Sequence, residues 1–144
     1  MQYANRFETH GIDLNARMVA ITKRNLEKCE VRADLAQGNV EQLPYVSECF
    51  DTVVSTMALS GYPDSARAMS EIRRVLKPGG LLVLIDVNYP AERNWLGVRL
   101  TRLWQRLGDI IRDVGKLLED HGFDYEDQEI GGFGSIHMYI CHKQ

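Results

Sequence analysis

The sequence is poor in the features that would place it in several common classes of protein. It has only three cysteines, which are odd in number and widely spaced: Cys29, Cys49 and Cys141. This pattern excludes a disulfide framework and a zinc site, and it favours reduced thiols in a cytoplasmic protein. No apolar run reaches the roughly 18 residues of a membrane span, and the first residues lack the apolar core of a signal peptide. The net charge of −3 argues against a general nucleic-acid binder.

What the sequence does contain is a regular alternation of strand and helix patterns. Its 144 residues suit one domain, residues 1–144, and 44% of them are hydrophobic, which is ordinary for a globular protein. The alternation predicts an α/β domain with a largely parallel sheet. The predicted strands cover residues 7–13, 31–37, 50–57, 81–87, 125–130 and 136–142.

Helices are predicted between these strands from caps and apolar spacing. Asn15 is a good N-cap for a helix over residues 16–29, and Asp64 opens a second helix that Lys77-Pro78-Gly79-Gly80 stops. The predicted inward residues of this second helix are Ala66, Met69, Ile72, Val75 and Leu76. A third helical region covers residues 95–121 and is interrupted near Gly108. The last two strands, joined by a glycine-rich turn, form an antiparallel hairpin on the parallel sheet.

Three segments carry motifs in a defined order. They are "GIDLNARMV" from residue 11, "GNVEQLPYVSECFDTVVSTMAL" from residue 38 and "ALSGYPDSARAMSEIRRVLKPGGLLVLIDV" from residue 58. Together with the closing hairpin, they resemble the class I S-adenosylmethionine-dependent methyltransferases, especially the branch that acts on small molecules and lipid quinones. The resemblance covers nearly the whole chain, and it implies a Rossmann-like, mostly parallel sheet that ends on an inserted antiparallel strand.

The resemblance also implies a set of residues that hold the cofactor, S-adenosylmethionine. Asp13, with Leu14 beside it, would accept hydrogen bonds from both ribose hydroxyls, and Met18 would lie against the adenine. Asn39 would meet the adenine amino group, with the Val40 backbone N–H beside a ring nitrogen. Three further residues that follow the central strand would border the methionine part: Thr56, Met57 and Ala58.

One family motif is missing from these 144 residues. The strand, glycine-rich loop and helix that approach the methionine and ribose should precede residue 7, and no other glycine cluster stands between a strand and a helix. We therefore expect an N-terminally truncated sheet in which the strands ending at Asp13 and Met57 lack their central neighbour. Unpaired apolar strand edges are costly, so we expect a second copy of the chain to cover them in a homodimer.

Several of these residues have structural alternatives. Asp13 could serve only as a favourable charge at a helix N-terminus, and Asn39 could serve only as a turn residue. Three residues after the fourth strand of the sheet lie where substrates bind, although methyl transfer often needs alignment and no general base: Asp86, Asn88 and Tyr89. His137 and His142 alternate with apolar residues, and we expect both to face solvent.

The region from residue 93 to residue 112 interleaves arginines with apolar residues. Leu96, Leu100, Leu103 and Leu107 share one helical face, and Arg99, Arg102 and Arg106 share another; Arg93 and Arg112 flank them. The simpler interpretation is a covering helix whose arginines are solvated or pair with Asp109 and Asp113. The alternative is an interfacial helix for a lipid-like substrate or an anionic membrane surface.

The sequence thus predicts a methyltransferase-family protein that transfers a methyl group to a small or lipid-like molecule. The alternative is a non-catalytic remnant of the same fold that acts as an interaction module. No metal site, nucleic-acid partner or transmembrane segment is expected, and peripheral contact with a membrane is compatible with the sequence. The methyl acceptor is not specified by any residue pattern.

Overall fold

A computed structural model describes residues 7–92 and 94–144, so Arg93 lies outside the described residues. The chain divides into two compact units, Met1–Pro44 and Tyr45–Gln144. The strands form two separate sheets, one of two strands and one of four. In both, the elements follow the order that the sequence predicted.

The first unit contains a β–α–β arrangement. Strand β1 (His10–Asp13) pairs in parallel with strand β2 (Asp34–Gln37), and helix α1 (Ala16–Lys28) connects them. The predicted cap of α1 is confirmed, because the Asn15 side chain accepts a hydrogen bond of 2.9 Å from the Arg17 N–H. Both strands are shorter than predicted and begin three residues later, at His10 and Asp34.

The second unit is built on a sheet in the order β3-β4-β6-β5. The strands are β3 (Phe50–Thr56), β4 (Leu76–Val87), β5 (Phe123–Gly131) and β6 (Ile136–Lys143). Strand β4 is parallel to β3, whereas β6 is antiparallel to both β4 and β5. The predicted antiparallel hairpin is therefore confirmed, with β6 inserted between β4 and β5.

Helices of the second unit cover one face of this sheet. Helix α2 (Ser65–Val75) contacts β4 and α4 (Val114–Asp120), and α4 packs on β5. The covered face carries the buried residues of the central strands, which include Leu82, Leu84, Tyr139 and Cys141. The alternate residues of β4 and β6, such as Val83 and Met138, point to the opposite face and are half-buried.

Two details of the α2–β4 region differ from the prediction. Ala66 is exposed and Ala68 is buried in its place, because the inward face of α2 is rotated toward Ala68, Met69, Ile72 and Val75. The predicted stop at residues 77–80 lies within β4, which begins at Leu76 directly after the helix. Gly79 adopts a φ of +70°, which glycine tolerates best, and the register of β3 and β4 shifts between Phe50 and Thr52.

Helix α3 (Trp95–Leu107) follows β4 and ends at Gly108, whose φ of +112° terminates the helix where the sequence predicted an interruption. Within the described part of the chain, no helix has the length and apolar character needed to cross a membrane.

Candidate functional site

The carboxyl edge of the two-stranded sheet brings together four of the eight predicted cofactor residues. Asp13 is paired with Gln37 at the ends of β1 and β2, and the Gly38 N–H donates to the Asp13 carbonyl at 3.0 Å. Leu14 follows β1 directly, and Asn39 and Val40 follow β2. The parallel register therefore places these residues at one edge of the first unit, as the resemblance implied.

The Asp13 carboxylate is exposed at this edge. Its Oδ1 accepts a hydrogen bond of 2.7 Å from the Asn15 N–H, which orients the carboxylate at the start of α1. Among residues 7–92 and 94–144, the other oxygen has no partner. Both interpretations from the sequence are therefore compatible with this geometry: the group caps a helix start and still presents an acceptor oxygen.

Asn39 begins a short 3₁₀ turn over Val40–Gln42. Its side-chain oxygen accepts a hydrogen bond of 2.9 Å from the Glu41 N–H, so the turn role that the sequence allowed is present. The Val40 N–H is the first amide of the turn and has no acceptor within it, which leaves a backbone donor at the sheet edge. Gly38 precedes this turn, and a Cβ there would lie 2.5 Å from Ile12 Cδ1.

Apolar side chains lie beside the same edge. Met18, in the first turn of α1, is 44% exposed, and Leu14 is also exposed. Exposed apolar side chains next to a carboxylate and free amide donors match the chemistry of adenosine, which has an apolar ring face and a vicinal diol. The residues of the first unit therefore fit the adenosine half of S-adenosylmethionine.

The other three predicted residues follow β3 in the second unit. Thr56 ends the strand, and the Met57 N–H still donates to the Ile85 carbonyl at 2.7 Å. Met57 has a φ of +51°, an uncommon backbone conformation for a side chain of its size. Ala58 precedes a short 3₁₀ turn, Leu59–Gly61. These residues lie at the carboxyl end of β3, where the resemblance placed them.

Asp86 holds the loop after β3 against β4. It is fully buried, and its two oxygens accept the N–H groups of Ser60 at 3.1 Å and of Val87 at 2.8 Å. Tyr89 donates its hydroxyl to Gln105 at 3.0 Å, and Asn88 donates its amide to the Tyr139 hydroxyl at 2.7 Å. Of the three candidate catalytic residues, Asp86 thus has a positioning role in this geometry.

The expectation that His137 faces solvent is wrong. The residue is 2% exposed, and its Nδ1 lies 2.7 Å from Asp127 Oδ1, while its Nε2 has no partner in the described part of the chain. It stacks on Tyr139 at 5.9 Å between ring centroids. Both faces of β6 are largely apolar in sequence, so alternation could not show which one is covered. His142 is exposed, as predicted.

Arg99, Arg102 and Arg106 are exposed, so the simpler interpretation, a covering helix with solvated arginines, is compatible with the structure. The residues that this helix buries are Gly97 and Thr101, whereas most of its leucines point outward. We call the exposed surface formed by Trp95, Leu96, Arg99, Arg102, Leu103, Arg106 and Leu107 the α3 outer face. Asp109 accepts from the Ser60 hydroxyl and Asp113 caps α4, so neither pairs with these arginines.

Comparison with known families and proteins decides the relationship. The family model described as "Methyltransferase domain" matches residues 1–84. The chain belongs to this methyltransferase family. Its fold is that of the class I enzymes, whose cofactor is S-adenosylmethionine.

Curated relatives of this methyltransferase chain include two demethylmenaquinone methyltransferases. The protein from Bacillus mycoides is 32% identical over 84 residues, which is 58% of this chain and 35% of the relative. The protein from Lactiplantibacillus plantarum is 32% identical over 108 residues, which is 69% of this chain and 46% of the relative. The chain thus spans less than half the length of these two relatives.

Solved structures share the fold at lower sequence identity. A methyltransferase from Methanosarcina mazei has a TM-score of 0.75 at 18% identity, with 99% of this chain and 84% of that one covered. The [4+2]-cyclase SpnF has a TM-score of 0.78 at 19% identity, with 99% of this chain and 68% of that one covered. These likenesses establish the fold, which supports more than one kind of chemistry.

Proposed function

We propose that this chain takes part in S-adenosylmethionine-dependent methyl transfer to a lipid-like quinol. The observation that carries the proposal is the carboxyl edge of the first unit, where Asp13, Asn39 and Val40 lie together within the segment that the family model matches. The names of the curated relatives support a quinol ring as the acceptor.

In this proposal the residues of the first unit bind and orient the cofactor. The free oxygen of Asp13 accepts from the ribose hydroxyls, Val40 N–H donates to an adenine ring nitrogen, and Met18 packs on the ring face. Asn39 keeps an acceptor lone pair for the adenine amino group while it caps its turn. Bound S-adenosylmethionine supplies an electrophilic methyl group on a positively charged sulfur.

The residues after β3 would serve the reacting end. Thr56, Met57 and Ala58 border the methionine part in this proposal, and buried Asp86 keeps their loop in place through Ser60. Transfer forms a bond between the acceptor's nucleophilic atom and the methyl carbon, breaks the bond from that carbon to sulfur, and releases the acceptor proton to solvent. Alignment of the two reactants carries most of the rate in such a step.

The non-catalytic alternative makes a different prediction for the cofactor. These 144 residues do not contain the family's glycine-rich loop, so we expect the isolated chain to bind S-adenosylmethionine or its product weakly. Amide chemical shifts in a titration with S-adenosylhomocysteine remain informative at such affinities. We expect the shifted amides to cluster at Asp13, Leu14, Asn39 and Val40.

Matched variants test the role of the carboxylate. Asp13→Ala should weaken binding by about tenfold or more, because charge-assisted hydrogen bonds contribute about 1.5–3 kcal/mol each. Asp34→Ala is the control, since Asp34 begins β2 at the opposite edge of the same sheet. Equal affinity for the parent and Asp13→Ala would assign Asp13 to helix capping alone, and shifted amides away from the residues proposed for the cofactor would contradict the proposed site.

We also propose that the chain forms a homodimer in the cytoplasm. Within the described residues, β3 is an edge strand, and Val54 on it is 63% exposed, so another strand or chain could pair there. The three free cysteines support a reducing compartment. Light scattering at low micromolar concentration should give twice the monomer mass; a stable, folded monomer would contradict the dimer.

A further inference from the structure

The α3 outer face combines exposed apolar and cationic side chains. We propose that this face docks on an anionic lipid bilayer, with α3 lying in the plane of the headgroups.

An apolar stripe runs along the exposed side of α3. Leu96, Leu103 and Leu107 are 40%, 49% and 69% exposed, and their spacing of seven and four residues aligns them on one side of the helix. The inner side buries Gly97 and Thr101, with Leu100 and Trp104 half-buried beside them. The stripe is therefore additional to the packing of the helix, and its exposure has no role in the core of the second unit.

A cationic stripe lies next to the apolar one. Arg99, Arg102 and Arg106 are exposed, and the helix contains no acidic residue, although the whole chain has a net charge of −3. Among the residues that the structure describes, none of the three arginines has an ion pair. An anionic surface complements this local charge, and an apolar stripe beside arginines is the pattern of helices that lie at a bilayer interface.

Aromatic residues lie at the amino end of the same face. Trp95 is 66% exposed, and the Arg99 guanidinium carbon lies 5.9 Å from the centre of its ring. Phe133 is 67% exposed in the turn beside the first turn of α3, where its carbonyl accepts from Asn94 at 2.8 Å. Tryptophan rings favour the boundary between headgroups and acyl chains, so they anchor interfacial segments.

The fold holds the α3 outer face close to the end of the sheet where the methyl acceptor is proposed to bind. The Thr101 hydroxyl donates to the Asn88 carbonyl at 3.0 Å, and Tyr89 holds Gln105, so α3 is tied to the residues directly after β4. In open α/β sheets, substrates bind at the carboxyl ends of strands. This inference rests on the proposed function: docking of the α3 outer face would bring the carboxyl end of β4 to a membrane in which a lipid-like quinol is dissolved.

The test is binding of the full chain to vesicles of phosphatidylcholine alone or mixed with phosphatidylglycerol, measured by flotation without cofactor or acceptor. We expect binding to the anionic vesicles that weakens as salt is raised. Arg102→Gln with Arg106→Gln should weaken it roughly 25-fold, since each arginine contributes about fivefold near an anionic surface. Leu103→Gln with Leu107→Gln should weaken it by roughly tenfold or more.

A matched control removes the same charge elsewhere. Lys23→Gln with Arg24→Gln changes two exposed cations of α1 and should leave vesicle binding close to that of the parent chain.

In a Trp104→Phe background, the fluorescence of Trp95 should shift to shorter wavelength on anionic vesicles only. Unchanged thermal melting of each variant shows that the fold is retained.

Three results would overturn the proposal. The first is absence of binding to anionic vesicles, and the second is an equal loss of vesicle binding in the α1 control. The third is self-association without lipid that the Leu103 and Leu107 substitutions abolish, which would assign the face to a second copy of the chain. Because the flotation assay contains no cofactor or acceptor, loss of docking and loss of methyl transfer are separate results.

Discussion

The two units of this chain differ: one carries the residues proposed to bind adenosine, and the other carries the core. Residues 7–44 include Asp13, Asn39 and Val40 of the proposed site, and none of their side chains is fully buried. The second unit holds every fully buried apolar residue among the described ones, from Leu59 to Cys141. The segment that is easiest to assign to a function is therefore not the segment that contains the core.

This contrast has a physical basis. The proposed adenosine site needs a short parallel strand pair and backbone amides at its carboxyl ends, which four-residue strands can provide. A core needs several layers, and only the second unit has a four-stranded sheet with helices packed on it. Motif strength in the sequence thus says little about how much a segment contributes to the free energy of unfolding.

Truncation of one leucine in each unit should give the largest difference between the units in the free energy of unfolding. Leu84→Ala should lower the free energy of unfolding by about 2–5 kcal/mol, because Leu84 is fully buried in a central strand and its loss leaves a cavity. Leu26→Ala, in α1, should cost less than about 1.5 kcal/mol, because the side chain is only half-buried. Urea unfolding of both variants measures the difference, and equal costs would contradict the contrast between the units.

Alkaline pH should also affect the two units differently. Burial raises the pKa of the Cys141 thiol to about 12 and also raises the pKa of the Tyr139 hydroxyl. The unfolded thiol ionises near a pKa of about 8.5, so above that pH the unfolded chain releases a proton that the folded chain retains. Stability contributed by this group is complete at neutral pH and should fall by about 1.4 kcal/mol per pH unit between about pH 9 and pH 12.

Cysteine variants sharpen this result. Cys141→Ala should reduce the slope of unfolding free energy against pH above pH 9, whereas Cys29→Ala, at an exposed position in the first unit, should leave it unchanged. An identical slope in the parent and both variants would show that Cys141 is not the group that titrates.

Most of the fold could be predicted from the sequence, because caps, glycines and β-branched runs are local signals. Asn15 and Gly108 marked the start of α1 and the end of α3 correctly. The amino ends of β1 and β2 could not be placed, since hydrogen-bonded pairing between segments more than twenty residues apart decides where a strand begins. Pairing with a distant segment also decides that residues 77–80 belong to β4, where the register with β3 shifts.

Candidate site residues could be named from the sequence only where a motif carries them. Asp13, Asn39 and Val40 stay predictions from the resemblance, and the parallel register brings them to one edge. The burial of His137 was missed because a histidine in a strand with two apolar faces carries no signal for burial. The sequence did not indicate which side of α3 is buried, because Gly97 and Thr101 are too small to form an apolar stripe.

Gly97 and Thr101 fix the packing of α3 and leave the residues on its exposed side free to vary in sequence. A Cβ at position 97 would lie 2.8 Å from Pro90 Cγ and would overlap the Phe133 carbonyl, so the inner side accepts nothing larger than glycine there. The outer side makes no comparable contact. The residues that fix the position of α3 are therefore different from the residues that set the chemistry of its exposed surface. Evolution or a protein engineer can replace the exposed residues to suit a new environment without changing where the helix packs.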